Sequence, residues 1–152
     1  IFDNFLRNNN IEFHIGTHFE SDFSRNLNDD ENRIKLIPSN EFFNINEYLL
    51  NIDIVITDYS GIYFDFLLHN KPIILAPFDL DYYEHNCREL SFEYFDLECF
   101  GFAENWGDVI TLIEKIISVR LNYDNIENKI KYNDYNNGES TKELYNTLKS
   151  MM

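Results

Sequence analysis

The 152 residues suffice for one domain, and 44% hydrophobic with 16% aromatic content supplies enough apolar surface for a core. Twelve Lys and Arg against 27 Asp and Glu give a formal charge of −15, which repels a nucleic-acid backbone and an anionic membrane surface alike and argues against both as partners. No stretch approaches the roughly 20 uninterrupted apolar residues of a membrane span, and no basic segment precedes an apolar run as in a secretory leader, so the expectation is a cytoplasmic, unprocessed chain.

Residues 1–7 read as the end of a helix, with Ile1, Phe2, Phe5 and Leu6 on one face. Because Ile1 lies inside that apolar period, the chain is expected to be part of something longer, with a partner domain missing. Residues 11–16 alternate as a strand, residues 17–32 are polar and acidic and read as a long loop, and residues 33–37 form a second strand stopped by Pro38. Asn44 opens a short helix over residues 44–51, with Glu47 at the capping-box offset and Ile45, Tyr48 and Leu49 on one face.

Residues 52–57 are nearly all apolar and β-branched, the pattern of a central parallel strand covered on both faces. Residues 60–69 carry Ile62, Phe66 and Leu67 at helical spacing and lead through Asn70 and Lys71 to a buried strand over residues 72–76, which completes a β-α-β unit. Residues 80–86 read as a brief helix and residues 91–96 as an extended segment. Residues 106–121 read as a long amphipathic helix with Val109, Ile110, Leu112, Ile113, Ile116 and Ile117 inward. Two further helices, over residues 123–135 and 140–148, are separated by the breaker Asn136-Asn-Gly138. The fold class is therefore α/β, a Rossmann-like open parallel sheet flanked by helices, whose ligands gather at the C-terminal strand ends.

Chemistry concentrates at Thr57-Asp-Tyr-Ser-Gly61, where the expected central strand gives way to a helix. The free N–H groups of a first helical turn attract an anion, the Thr57 and Ser60 hydroxyls can donate as well, and Gly61 leaves the backbone open to approach. A small phosphate-bearing ligand is compatible even with an acidic chain, because local geometry outranks net charge. The same residues also suit an ordinary helix cap by Asp58 or Ser60. Cys87 and Cys99 are too far apart for a paired metal or redox motif and too few for a disulfide framework, so both are expected as buried reduced thiols. No cluster of carboxylates, histidines and cysteines has ligand spacing, so no cofactor is assigned and a divalent metal has no ligand set to support it.

The run Asp53-Ile-Val-Ile-Thr-Asp-Tyr-Ser-Gly-Ile-Tyr-Phe-Asp-Phe66, followed by Lys71-Pro-Ile-Ile74, Asp79-Leu-Asp-Tyr-Tyr83 and Arg88, resembles the C-terminal region of the CDP-glycerol glycerophosphotransferase family, which builds teichoic acids and related capsules. The resemblance runs from about Ile11 to about Leu148 and implies the C-terminal half of a two-domain, GT-B-like enzyme, the whole of residues 1–152 being one CDP-donor-binding domain. It implies that Thr57, Asp58, Tyr59, Ser60 and Gly61 surround the donor diphosphate and that Asp65 accepts the ribose hydroxyls. It further implies catalytic roles for His18, as a donor to the diphosphate, and for Arg88, as a bidentate phosphate ligand. His18 stands where the family has "K-x-H-P", but the segment here is Gly16-Thr-His-Phe19, and His14 on the same strand is the alternative. The tail departs too, with Asn137-Gly-Glu-Ser-Thr-Lys-Glu143 in place of "D-G-x-(A/S)-S-x-R", which leaves Lys142 one position off the family's cation.

The implied reaction is in-line attack of a polymer hydroxyl on the β-phosphorus of a CDP-polyol, with CMP leaving. The implied partners are the CDP-polyol donor and a polymer acceptor, the latter through the missing N-terminal domain. Any membrane association, peripheral at the inner face, would come through other parts of the full protein. The rival readings are a GT-B glycosyltransferase using a nucleotide sugar and a non-catalytic nucleotide-binding module. A receiver domain would need an acidic pair after the first strand, where this chain has Gly16-Thr-His18.

Overall fold

In a computed structural model the chain is described over residues 2–16, 33–37, 44–87, 90, 92–119, 131–133 and 137–151. It forms two compact units, Ile1–Ile45 and Asn46–Met152.

In the first unit, α1 (Phe2–Asn8) buries Leu6 completely. Asn10, at φ 54°, takes the left-handed position that ends the helix, and the Asn10 and Ile11 amides return to the carbonyls of Arg7 and Leu6 at 3.2 and 2.8 Å. That pattern is a Schellman closure, for which Asn is the usual substitute for glycine. β1 (Phe13–Ile15) and β2 (Ile34–Leu36) pair in parallel, Phe13 opposite Ile34 and Ile15 opposite Leu36. Phe2 meets Phe13 edge-on at 5.2 Å, which fastens helix to strand. The expected loop over residues 17–32 and the stop at Pro38 lie outside the described residues.

The second unit is built on a parallel three-stranded sheet in the order β3 (Val55–Thr57), β4 (Ile73–Leu75), β5 (Gly101–Phe102). The register sets Val55 against Ile73, Thr57 against Leu75, and Leu75 against Phe102. Within this sheet the central place belongs to β4 rather than to β3. All three β4 residues are fully buried, whereas in β3 only Val55 is buried. A three-residue apolar run with neighbours on both sides saturates its backbone bonds and loses all its surface, which is why Ile73, Ile74 and Leu75 make the strongest core segment.

Before the sheet, α2 (Ile45–Leu49) buries Leu49. The Lys71 ammonium caps the chain that leaves α2, donating to the carbonyls of Leu50 and Ile52 at 2.9 and 2.7 Å. After β3, α3 (Ile62–Phe66) runs into a 3-10 turn (Leu67–His69) ended by Asn70 at φ 51°. Its inward residues are Tyr63, Phe66 and Leu67, with Ile62 only half-buried. After β4 comes α4 (Leu80–Asn86), which buries nothing completely.

Residues 91–96 were expected to be extended, but Tyr94–Asp96 forms a 3-10 turn. The tyrosine ring goes into the core, 3% exposed, and that anchoring overrides the local alternation. β5 follows, and α5 (Trp106–Val119) packs over it so closely that a Cβ on Gly101 would come within 2.6 Å of Leu112 Cδ2. Val109 and Ile113 are the buried residues of α5. Ile117, expected inward, lies two turns past Val109 near the end of the helix and is 44% exposed.

Asn105 caps α5, its Oδ1 accepting from the Gly107 and Asp108 amides at 2.8 and 3.2 Å. Asp108 returns the bond to the Glu104 amide at 3.1 Å. Residues 131–132 are helical and Asn133 is not, while residues 123–130 and 134–135 of the expected helix lie outside the described residues, as does Asn136. The last helix, α6 (Ser140–Ser150), extends two residues beyond expectation. Among the described residues no helix is long and apolar enough to cross a membrane.

Candidate functional site

The C-terminal ends of the three parallel strands of the second unit lie on one edge of its sheet, and the turn from Thr57 to Gly61 leaves that edge between β3 and α3. The strand pairing continues into the turn, the Ala76 amide donating to the Thr57 carbonyl at 2.8 Å. Asp58 folds its carboxylate back onto the Tyr59 amide at 2.7 Å, and the Ser60 hydroxyl accepts from the Ile62 amide at 3.4 Å. Asp58 thus bonds its neighbour rather than the helix, and of the two side chains only Ser60 reaches an amide of α3, from the position before the N-cap residue Gly61. The amides of Ser60 and Gly61 have no acceptor among the described residues, and both residues are exposed. Nothing in the protein lies within 4 Å of where a Gly61 Cβ would stand. Two N–H groups with no acceptor among the described residues thus stand beside a hydroxyl on exposed residues at a strand-to-helix junction, an arrangement suited to an anion's oxygens.

Tyr59 points its side chain into the protein rather than away from it. Its hydroxyl donates to Asp79 Oδ1 at 2.9 Å, and its ring stacks on Tyr83 of α4 at 3.9 Å and 20°. The Tyr94 ring stands 5.5 Å from it, and the Tyr94 hydroxyl donates to the Asp58 carbonyl at 2.8 Å. Burial raises both tyrosine pKa values, and the Asp79 carboxylate raises that of Tyr59 further, so both hydroxyls stay protonated donors at any physiological pH.

Asp79 also borders an open groove of about 480 Å³ beyond the ends of β4 and β5, walled by Phe78, Tyr82, Phe95, Phe102 and Glu104. The Thr57–Gly61 turn does not line that groove; the two are neighbours joined at Asp79.

Asp65 is exposed on α3, one helical turn past Gly61. His18 and Arg88 lie outside the described residues. His14 sits in mid-strand on β1 with its ring on the Glu12 carboxylate at 2.5 Å. Lys35 reaches the same carboxylate at 2.6 Å, and the two partners hold the Glu12 pKa below its usual value. His85 Nδ1 donates to the Asp81 carbonyl at 2.6 Å. Cys87 is exposed, contrary to expectation, because α4 keeps its whole length near the surface. Cys99 is partly buried, with its thiol pushed up to about 11 by desolvation. No group of three or more His, Cys, Asp or Glu side chains that could hold a metal converges among the described residues. Tyr94 was not singled out in the sequence: nothing local distinguishes it from its aromatic neighbours Phe92 and Phe95, and only its burial reveals its part.

The fold and this junction define the class: a parallel α/β domain presenting a hydroxyl-bearing turn at the carboxyl ends of its strands. The profile of the CDP-glycerol:poly(glycerophosphate) glycerophosphotransferases matches residues 3–150, and the chain belongs to that family. It is 34% identical over 91 residues to the teichoic acid poly(ribitol-phosphate) polymerase of Bacillus spizizenii, covering 60% of this chain and 14% of that protein. It is 30% identical over 133 residues to the teichoic acid poly(glycerol phosphate) polymerase of the same organism, covering 82% and 32%. It is 31% identical over 111 residues to the teichoic acid glycerol-phosphate primase of Bacillus subtilis, covering 70% and 27%. The chain thus spans a third or less of the length of these relatives.

Proposed function

We propose that this chain is the donor-binding part of a transferase that moves a polyol phosphate from a CDP-polyol onto a cell-surface polymer and releases CMP. Family membership supports the transferase chemistry, and one structural observation carries the assignment of the site: the Ser60 and Gly61 amides, without an acceptor among the described residues, beside the Ser60 hydroxyl after the end of β3. On this reading Thr57, Asp58, Tyr59, Ser60 and Gly61 surround the diphosphate and Asp65 accepts the ribose hydroxyls. Asp58 and Asp79 bring negative charge to the turn, and none of its hydrogen-bond partners among the described residues is a cation. Positive charge for the phosphates must then be supplied by other side chains, the part this reading gives to Arg88 and His18.

The acceptor hydroxyl attacks the β-phosphorus in line, the bond from that phosphorus to the bridging oxygen breaks, and the electron pair leaves with CMP. The donor-binding domain, residues 1–152, corresponds on this reading to the C-terminal half of a GT-B-like enzyme. Acceptor binding and the general base belong to an N-terminal part, and the enzyme works at the cytoplasmic face of the membrane. Calorimetry with CDP-glycerol, CDP-ribitol, CDP, UDP and a UDP-sugar tests this: cytidine compounds should bind in preference to uridine ones. A clear UDP preference would instead support a nucleotide-sugar glycosyltransferase, a rival that shares this geometry.

A further inference from the structure

A five-residue turn whose Ser60 and Gly61 amides have no acceptor among the described residues is held within itself by short-range bonds, such as those of the Tyr59 amide to Asp58 and of the Ile62 amide to Ser60, while fixing each residue costs roughly 1–2 kcal/mol of backbone entropy. Here the turn is held from three separate places in the chain. The 3-10 turn after α4 supplies the Tyr94 hydroxyl to the Asp58 carbonyl at 2.8 Å, from a ring only 3% exposed. The loop after β4 supplies Asp79, which takes the Tyr59 hydroxyl at 2.9 Å. Helix α4 supplies the Tyr83 ring, stacked on Tyr59 at 3.9 Å. All of these contacts fall on Asp58 and Tyr59, the residues immediately before the unpaired amides, and none falls on the amides themselves.

We infer that Tyr94, Asp79 and Tyr83 are positioning residues for the donor phosphate, holding the Ser60 and Gly61 amides ready for an anion. The inference rests on the proposed donor-binding reading of the turn. Preorganised N–H groups bind an anion without paying for their own ordering at the moment of binding, so loosening Asp58 or Tyr59 weakens affinity without removing a single ligand contact. Asp79 allows charge and bracing to be separated. As a bare carboxylate near a diphosphate it would oppose binding, whereas as the acceptor for Tyr59 it favours binding.

The experiment compares this chain with its Tyr94→Phe, Asp79→Ala and Asp79→Asn variants by amide hydrogen exchange and by calorimetry with CDP. Tyr94→Phe and Asp79→Ala should speed exchange at the bonded amides of Tyr59 and Ile62 by about tenfold while leaving the amides of α5 unchanged, and should weaken CDP binding by about fivefold. Asp79→Asn keeps an oxygen for the Tyr59 hydroxyl and loses the charge, so it should exchange like the parent and bind CDP at least as well. Unchanged exchange in both Tyr94→Phe and Asp79→Ala would overturn the bracing, and faster exchange with unaltered CDP affinity would overturn its purpose. Failure of the parent chain to bind CDP would remove the donor-binding reading and the positioning role with it, while exchange would still report whether the turn is braced. If Tyr94→Phe loosens α5 as well, it has unfolded, and the Asp79 pair decides.

Discussion

Tyr59 and Tyr94 hold their hydroxyl protons more tightly in the folded chain than a free tyrosine does, through burial in both and through the Asp79 carboxylate at Tyr59. For a group whose pKa is raised on folding, the associated stability is complete below the unfolded value, about 10 for tyrosine, and drains away as pH climbs through the folded one. Thermal unfolding followed from pH 8 to 11 should therefore show a steeper alkaline loss in the parent than in Tyr94→Phe, which has one such proton fewer to defend. Equal slopes would mean that the Tyr94 hydroxyl ionises as freely in the folded chain as in the unfolded one. Gly61 offers a different test. Its φ of −59° suits any residue and a Cβ there would touch nothing, so no packing constraint within the described structure requires a glycine. Gly61→Ser should raise stability by about 0.4–1 kcal/mol by restricting the unfolded chain, without weakening CDP binding. A fall in CDP affinity with stability gained would show that the ligand itself needs the space.

At the scale of elements, α5 owes its sharp start to Asn105, whose side chain satisfies two amides of the first turn while Asp108 replies to the Glu104 amide. Asn105→Ala should cost about 0.5–2 kcal/mol in denaturant titration, and Asn105→Asp should recover most of it. Neither residue stood out beforehand, because a cap is recognised from where the helix begins, and the apolar period of α5 fixes its face better than its first residue. Elements with a long or saturated pattern were legible: α5 from its inward Val109 and Ile113, and β4 from its unbroken Ile73-Ile-Leu75. The two-residue β5 was not, since Gly101 and Phe102 are too few to show a period and are held by pairing with β4. The turn from Thr57 to Gly61 stood out because hydroxyls and a glycine follow an apolar run, and its place between β3 and α3 was legible. Its bracing was not, because Tyr94 and Asp79 reach it across 36 and 20 residues of sequence.

At the scale of the molecule, stability is concentrated in the second unit, around β4 and the inner face of α3. Phe66 and Ile74 are fully buried, so Phe66→Ala should cost about 3–5 kcal/mol and Ile74→Val about 0.5–1.5 kcal/mol. Helix α6 behaves oppositely: Leu144, Tyr145 and Leu148 are all more than half exposed, and Leu148→Ala should change the stability of this chain by less than about 0.5 kcal/mol. A larger loss in chemical denaturation would mean that α6 is packed in solution.

The Lys71 cap on Leu50 and Ile52 has a consequence for how the second unit tolerates its surroundings. The ion pairs Arg7–Asp3, Lys35–Glu12 and Lys142–Glu139 are exposed, so added salt screens them and acid discharges their carboxylates. Lys71 has neutral carbonyls for partners, and a carbonyl neither titrates nor trades its dipole for a counterion. The stitch between the end of α2 and the start of β4 should consequently hold in brine and in mild acid alike, so that in a chain of charge −15 the seam beneath the strands is indifferent to the ionic weather at its surface.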